Sequence, residues 1–397
     1  MREAVIVSAV RSAVGKGKKD GALAAVHPTE LSAQVMRASL AKADVDPAVV
    51  DDIFWGCAMP EASQGLNVAR LSSLRAGIPV DVPSATINRF CSSGLQSVAL
   101  AAQAIMCDMA DIVLAGGIEM MSQVPMSGYH ARLDPELTES YIGMGFTAER
   151  VAERWKISRE EQDRWALESQ RKAARALSER RFDEQIVPIP TVKLTWKGAK
   201  KEECASEFAR DELPRPDTTR EGLAKLKPAF KVNGTVTAGN ASPFSDGAAA
   251  VLLMSAERAR EMQLEPLARF ITFATAGVEP DVMGIAPIKA VPKALKRAGL
   301  AMKDVKLIEF NEAFASQVVA VVRDLGMPED RVNVNGGAIA LGHPLGATGA
   351  KLTTQLVHEL GRRGGGVGLV TMCIGGGMGA AGLFEVYPRK GESGATA

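Results

Sequence analysis

The chain lacks an excess of either sign of charge. It has 47 Lys and Arg residues and 46 Asp and Glu residues, which gives a formal net charge of +1. A nucleic-acid surface or an anionic-membrane surface needs a basic excess or a basic stripe. The charge balance therefore argues against nucleic acid and membrane as main partners, although it is compatible with a local anion site.

Cysteine is scarce, and its pattern excludes two common uses. The chain has five cysteines, which are an odd number, are scattered, and include no C-x-x-C spacing. Neither a disulfide framework nor a zinc site is indicated. We expect a reducing compartment and predict a cytoplasmic location. The cysteines are Cys57, Cys91, Cys107, Cys204 and Cys373.

Long hydrophobic runs are also lacking. No stretch reaches the ~18 to 20 apolar residues that a membrane helix needs. The apolar run 4–10 is short and leads into basic residues 16–19, so we interpret it as a first strand rather than a signal peptide. The polar end, 388–397, is expected to be a frayed tail. With 46% hydrophobic and 23% charged residues in 397, the chain is typical of a soluble globular protein of two or three domains.

The first hundred or so residues alternate between short apolar runs and helical periodicities, which predicts parallel strands with covering helices. Predicted strands cover 4–8, 52–57 and 112–115, and predicted helices cover 29–43 and about 67–76. From about residue 119 to 240 the chain becomes charged and proline-containing, with a helix predicted over 158–179. We interpret this region as an inserted subdomain, after which the sheet resumes near residue 247.

The second half repeats the first at an offset of 255 residues. Segment 40–45 matches 295–300, segment 53–56 matches 308–311, and Gly94 matches Gly349. Two similar α/β units predict a duplication with the active site between them. We divide the chain into an N-terminal half (1–118 and 241–268), an inserted loop domain (119–240) and a C-terminal half (269–397).

Cys91 stands immediately before a well-marked helical periodicity. Leu95, Val98, Ala99, Ala102, Ile105 and Met106 follow it with the spacing of one helical face. A helix N-terminus carries partial positive charge, so a thiol there favours its thiolate and becomes a nucleophile. The alternative is a buried structural cysteine, because free cysteine is among the most buried residue types.

Three segments of the second half stand next to predicted elements. Two of them follow apolar runs that we predict as strands, and one precedes a predicted helix. In α/β sheets ligands bind at strand ends, and glycines there let the backbone approach a ligand closely. The segments are 311–315, which begins Asn-Glu-Ala-Phe; 335–349, which contains Gly-His-Pro around His343; and 373–379, which reads Cys-Ile-Gly-Gly-Gly-Met-Gly.

The Cys91 segment and these three motifs, in this order, resemble those of the thiolases over essentially the whole chain. The resemblance implies a five-layered αβαβα fold of two duplicated halves with an inserted loop domain. It also implies an acyltransferase that cleaves 3-ketoacyl-CoA with coenzyme A and catalyses the reverse Claisen condensation through an acyl-cysteine. Coenzyme A would be a substrate, with no permanently bound cofactor and no metal.

The resemblance also implies roles for individual residues. Cys91 would be the acylated nucleophile, His343 the base that takes its proton, and Cys373 the acid/base for the acetyl α-carbon. One oxyanion hole would be His343 with a water held by Asn311, and the other the backbone N–H groups of Cys91 and Gly375. The other histidines have no motif and are expected to be surface or structural; they are His27, His130 and His358.

For coenzyme A, the resemblance points to the inserted domain and its return to the sheet. Arg215 would lie near the nucleotide end and Ser242 beside the pantetheine arm. Met144 would line the acyl pocket, and Phe314 of the Asn-Glu-Ala-Phe motif belongs to the same site. Gly143 stands where acetoacetyl-specific relatives often have histidine.

Several alternatives are open at this point. One is an acetoacetyl-CoA-specific biosynthetic thiolase (an acetyl-CoA acetyltransferase), and another is an inactive thiolase-like subunit that binds acyl-CoA or scaffolds a complex. A β-ketoacyl synthase would pair its cysteine with two histidines, or with a histidine and an asparagine, whereas this chain offers Cys373. A homodimer or homotetramer is expected, and a β-oxidation multienzyme partner is conceivable.

Overall fold

The fold is described from a computed structural model, which covers residues 2–129, 132–197 and 200–389. His130 and the part of the predicted tail from residue 390 onward lie outside the described residues. Within these ranges, none of the helices combines the length and hydropathy that crossing a bilayer requires.

Thirteen strands occur in the described part of the chain. They are β1 (Ala4–Ser12), β2 (Gly15–Lys16), β3 (Asp52–Gly56), β4 (Ser84–Ile87), β5 (Ile112–Met120), β6 (Ile186–Val187), β7 (Ile189–Lys197), β8 (Lys200–Phe208), β9 (Ser245–Ser255), β10 (Ala268–Gly277), β11 (Val305–Phe310), β12 (Gly366–Ile374) and β13 (Met378–Val386).

Eleven α-helices accompany them in the same ranges. They are α1 (Pro28–Lys42), α2 (Val68–Arg75), α3 (Ser93–Met106), α4 (Met144–Arg154), α5 (Arg159–Ser178), α6 (Arg220–Ala224), α7 (Ala256–Glu261), α8 (Pro287–Ala298), α9 (Ala315–Leu325), α10 (Ala338–Leu341) and α11 (Leu345–Arg362).

Local sequence signals set several of these boundaries. Ser158 and Glu161 form a reciprocal capping box at the start of α5. The α8 and α9 helices end at Gly299 and Gly326, which adopt left-handed conformations with φ of 67° and 58°. His27 caps α1, so this histidine has a structural role.

The main sheet runs in the order β11-β12-β13-β10-β1-β9-β5-β3-β4. The pairs at both edges are parallel: β3 is parallel to β4 and to β5, and β11 is parallel to β12. The central strands β5, β9, β1, β10, β13 and β12 are antiparallel to their neighbours in this order. The parallel pairing expected from the first hundred or so residues is therefore present for β3 and β5, whereas β1 pairs antiparallel with β9 and β10. In the C-terminal half a tight β12–β13 connection allows antiparallel pairing.

The two halves are joined through β1 and β10, whose pairing is restricted to Val5 with Arg269 and Ile6 with Ala268. Helices α1 and α2 cover one sheet surface, α3 and α11 lie between the halves, and α8 and α9 cover the opposite side. This layering confirms the predicted αβαβα class. The predicted domain boundaries stay a prediction, although β5 ends at Met120 and β9 begins at Ser245.

The two central helices approach each other at the duplicated glycines. A Cβ on Gly349 would lie 2.0 Å from the Leu95 nitrogen, and a Cβ on Gly94 would lie 2.8 Å from the Ala350 nitrogen. Real side-chain atoms do not tolerate such distances to backbone, so α3 and α11 can pack this closely only with glycine at both positions.

We predict that Gly349→Ala lowers the free energy of unfolding. Alanine gains about 1 kcal/mol of helix propensity over glycine, but forcing the helices apart costs about 1–3 kcal/mol or more. The measurement is urea unfolding followed by tryptophan fluorescence. Gly277→Ala is the control, because its Cβ would meet only the Gly377 carbonyl oxygen at 3.9 Å. Equal stability of both variants would contradict the packing argument.

Candidate active site

A cavity of about 560 Å³ opens beside the N-terminal ends of the two central helices. Its lining is mainly apolar and includes residues from both halves and from the segment between β5 and β9. The structure brings most of the predicted site residues to this one cavity: Cys91, Met144, Arg215, Ser242, Phe314, His343 and Cys373. Two further predicted residues, Asn311 and Gly375, lie directly behind this lining, as described below.

Cys91 lies in a 3-10 turn, Phe90–Ser92, that leads into α3. The Asn88 side chain accepts a hydrogen bond from the Phe90 N–H at 2.8 Å, and Phe90 itself has a φ of 44°. The turn therefore holds Cys91 ahead of the helix rather than within it.

The expectation that the helix N-terminus favours the Cys91 thiolate is wrong for this structure. Burial, with a smaller contribution from the nearby Glu119 carboxylate, raises the pKa of the Cys91 thiol to about 11. Hydrogen bonds from the N–H groups of Gly375 and of Cys91 itself lower the pKa, but by less. Desolvation outweighs the helix terminus, so Cys91 is a neutral thiol at neutral pH.

His343 is buried and held from three sides. Its backbone N–H donates to Ser245 Oγ at 3.0 Å, its Nδ1 contacts Thr348 Oγ1 at 2.6 Å, and its Nε2 contacts Asn311 Nδ2 at 3.2 Å. The Thr348 hydroxyl donates to the Pro344 carbonyl at 2.9 Å, so its oxygen accepts from Nδ1–H. This network assigns the proton to Nδ1 and leaves the Nε2 lone pair toward Asn311.

Electrostatics keep that imidazole neutral. Burial, with a smaller contribution from the positive charge of Lys351, lowers the pKa of His343 to about 3. Neutral imidazole is the form that can accept a proton, so His343 can act as a base across the physiological pH range.

Asn311 follows the end of β11 and is fully buried. Its Nδ2 donates to His343, whereas its Oδ1 has no hydrogen-bond partner among the described residues. A buried amide oxygen without a partner is costly. The site can therefore accept an O–H or N–H from a bound molecule at this atom.

Cys373 is the second-to-last residue of β12 and is fully buried. Burial raises the pKa of the Cys373 thiol well above its ordinary value, and proximity to Cys91 raises it further. The glycines that follow make the tight return into β13: Gly377 has a φ of 80°, and a Cβ there would lie 2.2 Å from the Val278 carbonyl oxygen. The Gly375 N–H is thereby directed at the Cys91 sulfur.

Phe314, Ser242 and Arg215 line the same cavity as Cys91. The Phe314 ring packs edge-on against Phe230, with 6.1 Å between centroids. The Ser242 N–H donates to the Ala313 carbonyl at 3.0 Å. Arg215 borders both this cavity and a second one of about 250 Å³ beside α6.

Two buried carboxylates that sequence reasoning missed fix the loops of the site. Glu119 accepts hydrogen bonds from the N–H groups of Ala58, Met59 and Gly346 and from the Gln64 side chain. Glu312 accepts from the side chains of Trp165, Ser169 and Asn333 and from the Ile339 N–H. Glu312 is adjacent to Asn311 in the motif, but no sequence signal identifies its partners.

Two further missed residues position His343. Thr348 follows it by five residues and Ser245 begins β9. A histidine just before a helix can reach a hydroxyl group in the first turn of that helix, so the spacing alone could have identified Thr348. Ser245 is 98 residues away in the chain, and spacing could not identify it.

Comparisons with known proteins match nearly the whole chain to family models and relatives. The family model described as "Thiolase, N-terminal domain" matches residues 4–257, and the one described as "Thiolase, C-terminal domain" matches residues 264–386. A protein named 3-ketoacyl-CoA thiolase from Bacillus subtilis (strain 168) is 54% identical over 97% of this chain and 100% of its own length.

Other relatives carry a different name. A protein from Pseudomonas aeruginosa named acetyl-CoA acetyltransferase is 46% identical over 96% of this chain and 98% of its own length. The crystal structure of the Bacillus anthracis acetyl-CoA acetyltransferase superimposes with a TM-score of 0.86 at 41% identity, covering 97% of this chain and 99% of that one. With both thiolase family models matched and relatives of this identity over nearly its full length, the chain belongs to the thiolase family.

Proposed function

We propose that the protein cleaves 3-ketoacyl-CoA with free coenzyme A, giving acetyl-CoA and an acyl-CoA shortened by two carbons, and that it catalyses the reverse condensation. The observation that carries this proposal is the meeting of two thiols and a neutral histidine in one apolar cavity, Cys91, Cys373 and His343. One thiol can hold the acyl group while the other moves a proton, as a Claisen exchange requires.

In the proposed first step, the Cys91 sulfur attacks the 3-keto carbon, and its proton passes to His343 Nε2. The neutral thiol and the neutral imidazole favour transfer during attack rather than a preformed ion pair. The negative charge that forms on the keto oxygen needs donors positioned in advance. The N–H groups of Cys91 and Gly375 approach the sulfur and are suited to that role.

In the second part of the step, the bond between carbons 2 and 3 breaks and the acyl group stays on Cys91. The departing acetyl-CoA carbanion takes a proton from Cys373, whose raised pKa keeps it a protonated acid. His343 and a water held by Asn311 would stabilise the enolate oxygen. The thiol of free coenzyme A then gives its proton to the Cys373 thiolate and attacks the acyl-cysteine. The bond between the acyl carbon and the Cys91 sulfur breaks, the shortened acyl-CoA leaves, and Cys91 takes its proton back from His343.

The wall toward α6 is suited to the body of coenzyme A. Ser242 and Phe314 line the approach to Cys91, and Arg215 lies where the two cavities adjoin. We propose that the pantetheine arm passes Ser242 and that the Arg215 guanidinium contacts the nucleotide phosphates, for which its planar donors are suited. The free thiols required for the reaction favour a reducing, cytoplasmic location.

The acyl pocket suggests substrates longer than acetoacetyl-CoA. Gly143 has an ordinary φ of −63°, and the nearest atom to an added Cβ is a Phe146 ring carbon at 3.4 Å. Neither backbone conformation nor packing therefore requires glycine there. Because Gly143 lines the cavity, we propose that its missing side chain leaves room for the acyl chain; the acetoacetyl-CoA-specific reading is the alternative.

The surface beside β4 supports an assembly of identical chains. The β4 strand pairs only with β3 in the described sheet, so its other edge is open. Exposed apolar side chains surround this edge region, including Leu66, which is 90% exposed, and Val80, which is 70% exposed. We propose that a second copy covers this surface in a homodimer, with a homotetramer as its extension.

The two cysteines are predicted to fail at different steps when replaced. Cys91→Ser should not acquire an acyl group from acetyl-CoA, whereas Cys373→Ser should still acylate but exchange solvent deuterium into the acetyl methyl group about 10²- to 10⁴-fold more slowly. A hydroxyl is a far poorer acid/base than a thiol near neutral pH. Mass spectrometry of the acyl-enzyme and NMR of the exchange measure the two steps.

Cys107→Ser is the matched control, because Cys107 is an exposed free cysteine away from the cavity lining. It should acylate and exchange like the parent protein. An acyl mass on the Cys373 peptide, or normal deuterium exchange in Cys373→Ser, would show that the roles are assigned wrongly. Absence of any acyl-enzyme and any thiolysis in the parent protein would favour a silent binding subunit.

Filling the space at Gly143 should select against long substrates. We predict that Gly143→His lowers kcat/KM for 3-keto-octanoyl-CoA about tenfold or more and lowers kcat/KM for acetoacetyl-CoA much less. The reason is that each methylene excluded from an apolar pocket lowers kcat/KM about tenfold or more. Gly143→Ala is the control. An equal loss at every chain length would mean that the acyl chain does not pass Gly143.

Light scattering should find a dimer or a tetramer at micromolar concentration. Leu66→Lys should shift the protein toward monomer, because it places a charge in the proposed contact. Val232→Lys is the control, since Val232 is also an exposed apolar residue, at 87%, but lies in the inserted region. A monomeric parent protein, or the same shift in both variants, would contradict the proposed interface.

A further inference from the structure

Lys351 is a buried lysine that the proposed reaction does not use. It lies in the second turn of α11 and is 2% exposed. Its ammonium donates to the Gly342 carbonyl at 3.4 Å, and it makes no ion pair within 4 Å in the described part of the chain. Lysine is almost never fully buried unless paired, so this position calls for a reason beyond packing.

The hydrogen bond of Lys351 reaches the peptide unit that carries His343. The Gly342 carbonyl and the His343 N–H belong to one peptide plane; Lys351 donates to the carbonyl, and Ser245 Oγ accepts from the N–H at 3.0 Å. Gly342 has a φ of 84°, and a Cβ there would lie 2.5 Å from Ser245 Oγ. Gly342 thus precedes His343 in a left-handed conformation, and both the C=O and the N–H of the peptide bond between them are hydrogen-bonded.

The charges around Lys351 come from several elements. Arg11 on β1 opposes its protonation, whereas Asp211, Glu309 on β11, and Glu312 favour it. Burial dominates and lowers the pKa of Lys351 to about 8, and burial raises the pKa of Glu309 to about 8. Burial thus acts against charge on both groups, and no carboxylate pairs with the Lys351 ammonium within 4 Å in the described part of the chain.

Glu309 does not cancel that charge by direct contact. It is 1% exposed, and its Oε2 has no hydrogen-bond partner among the described residues. Glu119 and the two thiols lie on the Cys91 side of the site, and Lys351 is the charged group that lowers the pKa of His343.

We propose that Lys351 is a positioning residue for His343: it clamps the Gly342–His343 peptide through the hydrogen bond from its ammonium to the Gly342 carbonyl, and its positive charge adds to burial in disfavouring the imidazolium. This inference rests on the proposed function in that His343 is the base there. It adds a residue that touches neither substrate nor the reacting atoms.

Three variants separate the clamp from the charge. Lys351→Met removes both, Lys351→Gln keeps an N–H donor without the charge, and Lys351→Arg keeps both. The chain has four histidines, so ¹⁵N-histidine NMR of the full chain can follow His343, with its signals identified by their loss in His343→Asn. Each sample is titrated from pH 4 to pH 8, and circular dichroism monitors folding in the same tubes.

Removing a neighbouring positive charge favours the imidazolium, so the midpoint of His343 should rise by about 1 pH unit in Lys351→Met and Lys351→Gln. The parent protein and Lys351→Arg should stay almost fully neutral at pH 4. In thiolysis, Lys351→Met should lower kcat about 10- to 100-fold through misplacement of His343, with KM nearly unchanged because Lys351 does not line the cavity.

If His343 stays as fully neutral at pH 4 in Lys351→Gln as in the parent protein, the role of the charge is overturned. An unchanged kcat in Lys351→Met would overturn the clamp. If Lys351→Met does not fold, comparison of Lys351→Gln with Lys351→Arg still tests the effect of the charge on the His343 midpoint. The ratio of kcat for Lys351→Gln to kcat for Lys351→Arg then gives the fraction of turnover that an N–H donor without charge preserves. The NMR titration needs no turnover. A parent protein without thiolysis would therefore defeat the proposed function and leave this measurement valid.

Discussion

The close contact of α3 with α11 is the constraint on which the site depends. Cys91 stands just before the first of these helices and His343 just before the second, so the distance between the helices sets the distance between the two segments. Glycine at positions 94 and 349 permits that contact. Because these glycines occupy equivalent positions of the repeat, the duplication itself explains why two helix starts meet at one place.

Once the helix starts meet, buried carboxylates hold the loops around them. Glu119 ties the segment after β3 to the Gly346 N–H at the start of α11, and thereby joins the two halves. Glu312 ties α5 of the inserted region to the first turn of α10. Each carboxylate collects several N–H donors, which offsets the cost of burial. The start of α11, which directly follows His343, is consequently fixed by a hydrogen bond as well as by packing.

Periodicity and spacing predict the parts of this structure that depend on local sequence. The helix after Cys91, the offset of 255 residues and the strand-end glycine segments are visible because each involves neighbouring residues or a strict repeat. The antiparallel centre of the sheet was not predicted, since strand direction depends on connections that periodicity does not report. The Cys91 thiolate was predicted wrongly: a helix terminus is visible in the sequence, but the desolvation that raises the pKa of the thiol to about 11 depends on the surrounding fold.

That correction changes how the site is understood. With the pKa of Cys91 about 11 and that of His343 about 3, both groups are uncharged from moderately acidic to moderately alkaline pH. Burying a neutral thiol and a neutral imidazole costs far less than burying their ion pair, so the apolar cavity is stable before substrate arrives. Charge then appears only as attack begins, when the N–H groups near Cys91 gain an anion to stabilise. Groups that titrate near neutral pH lie behind His343, at Lys351 and Glu309. The protein thus separates the reacting pair, which stays neutral, from the buried charges that orient it.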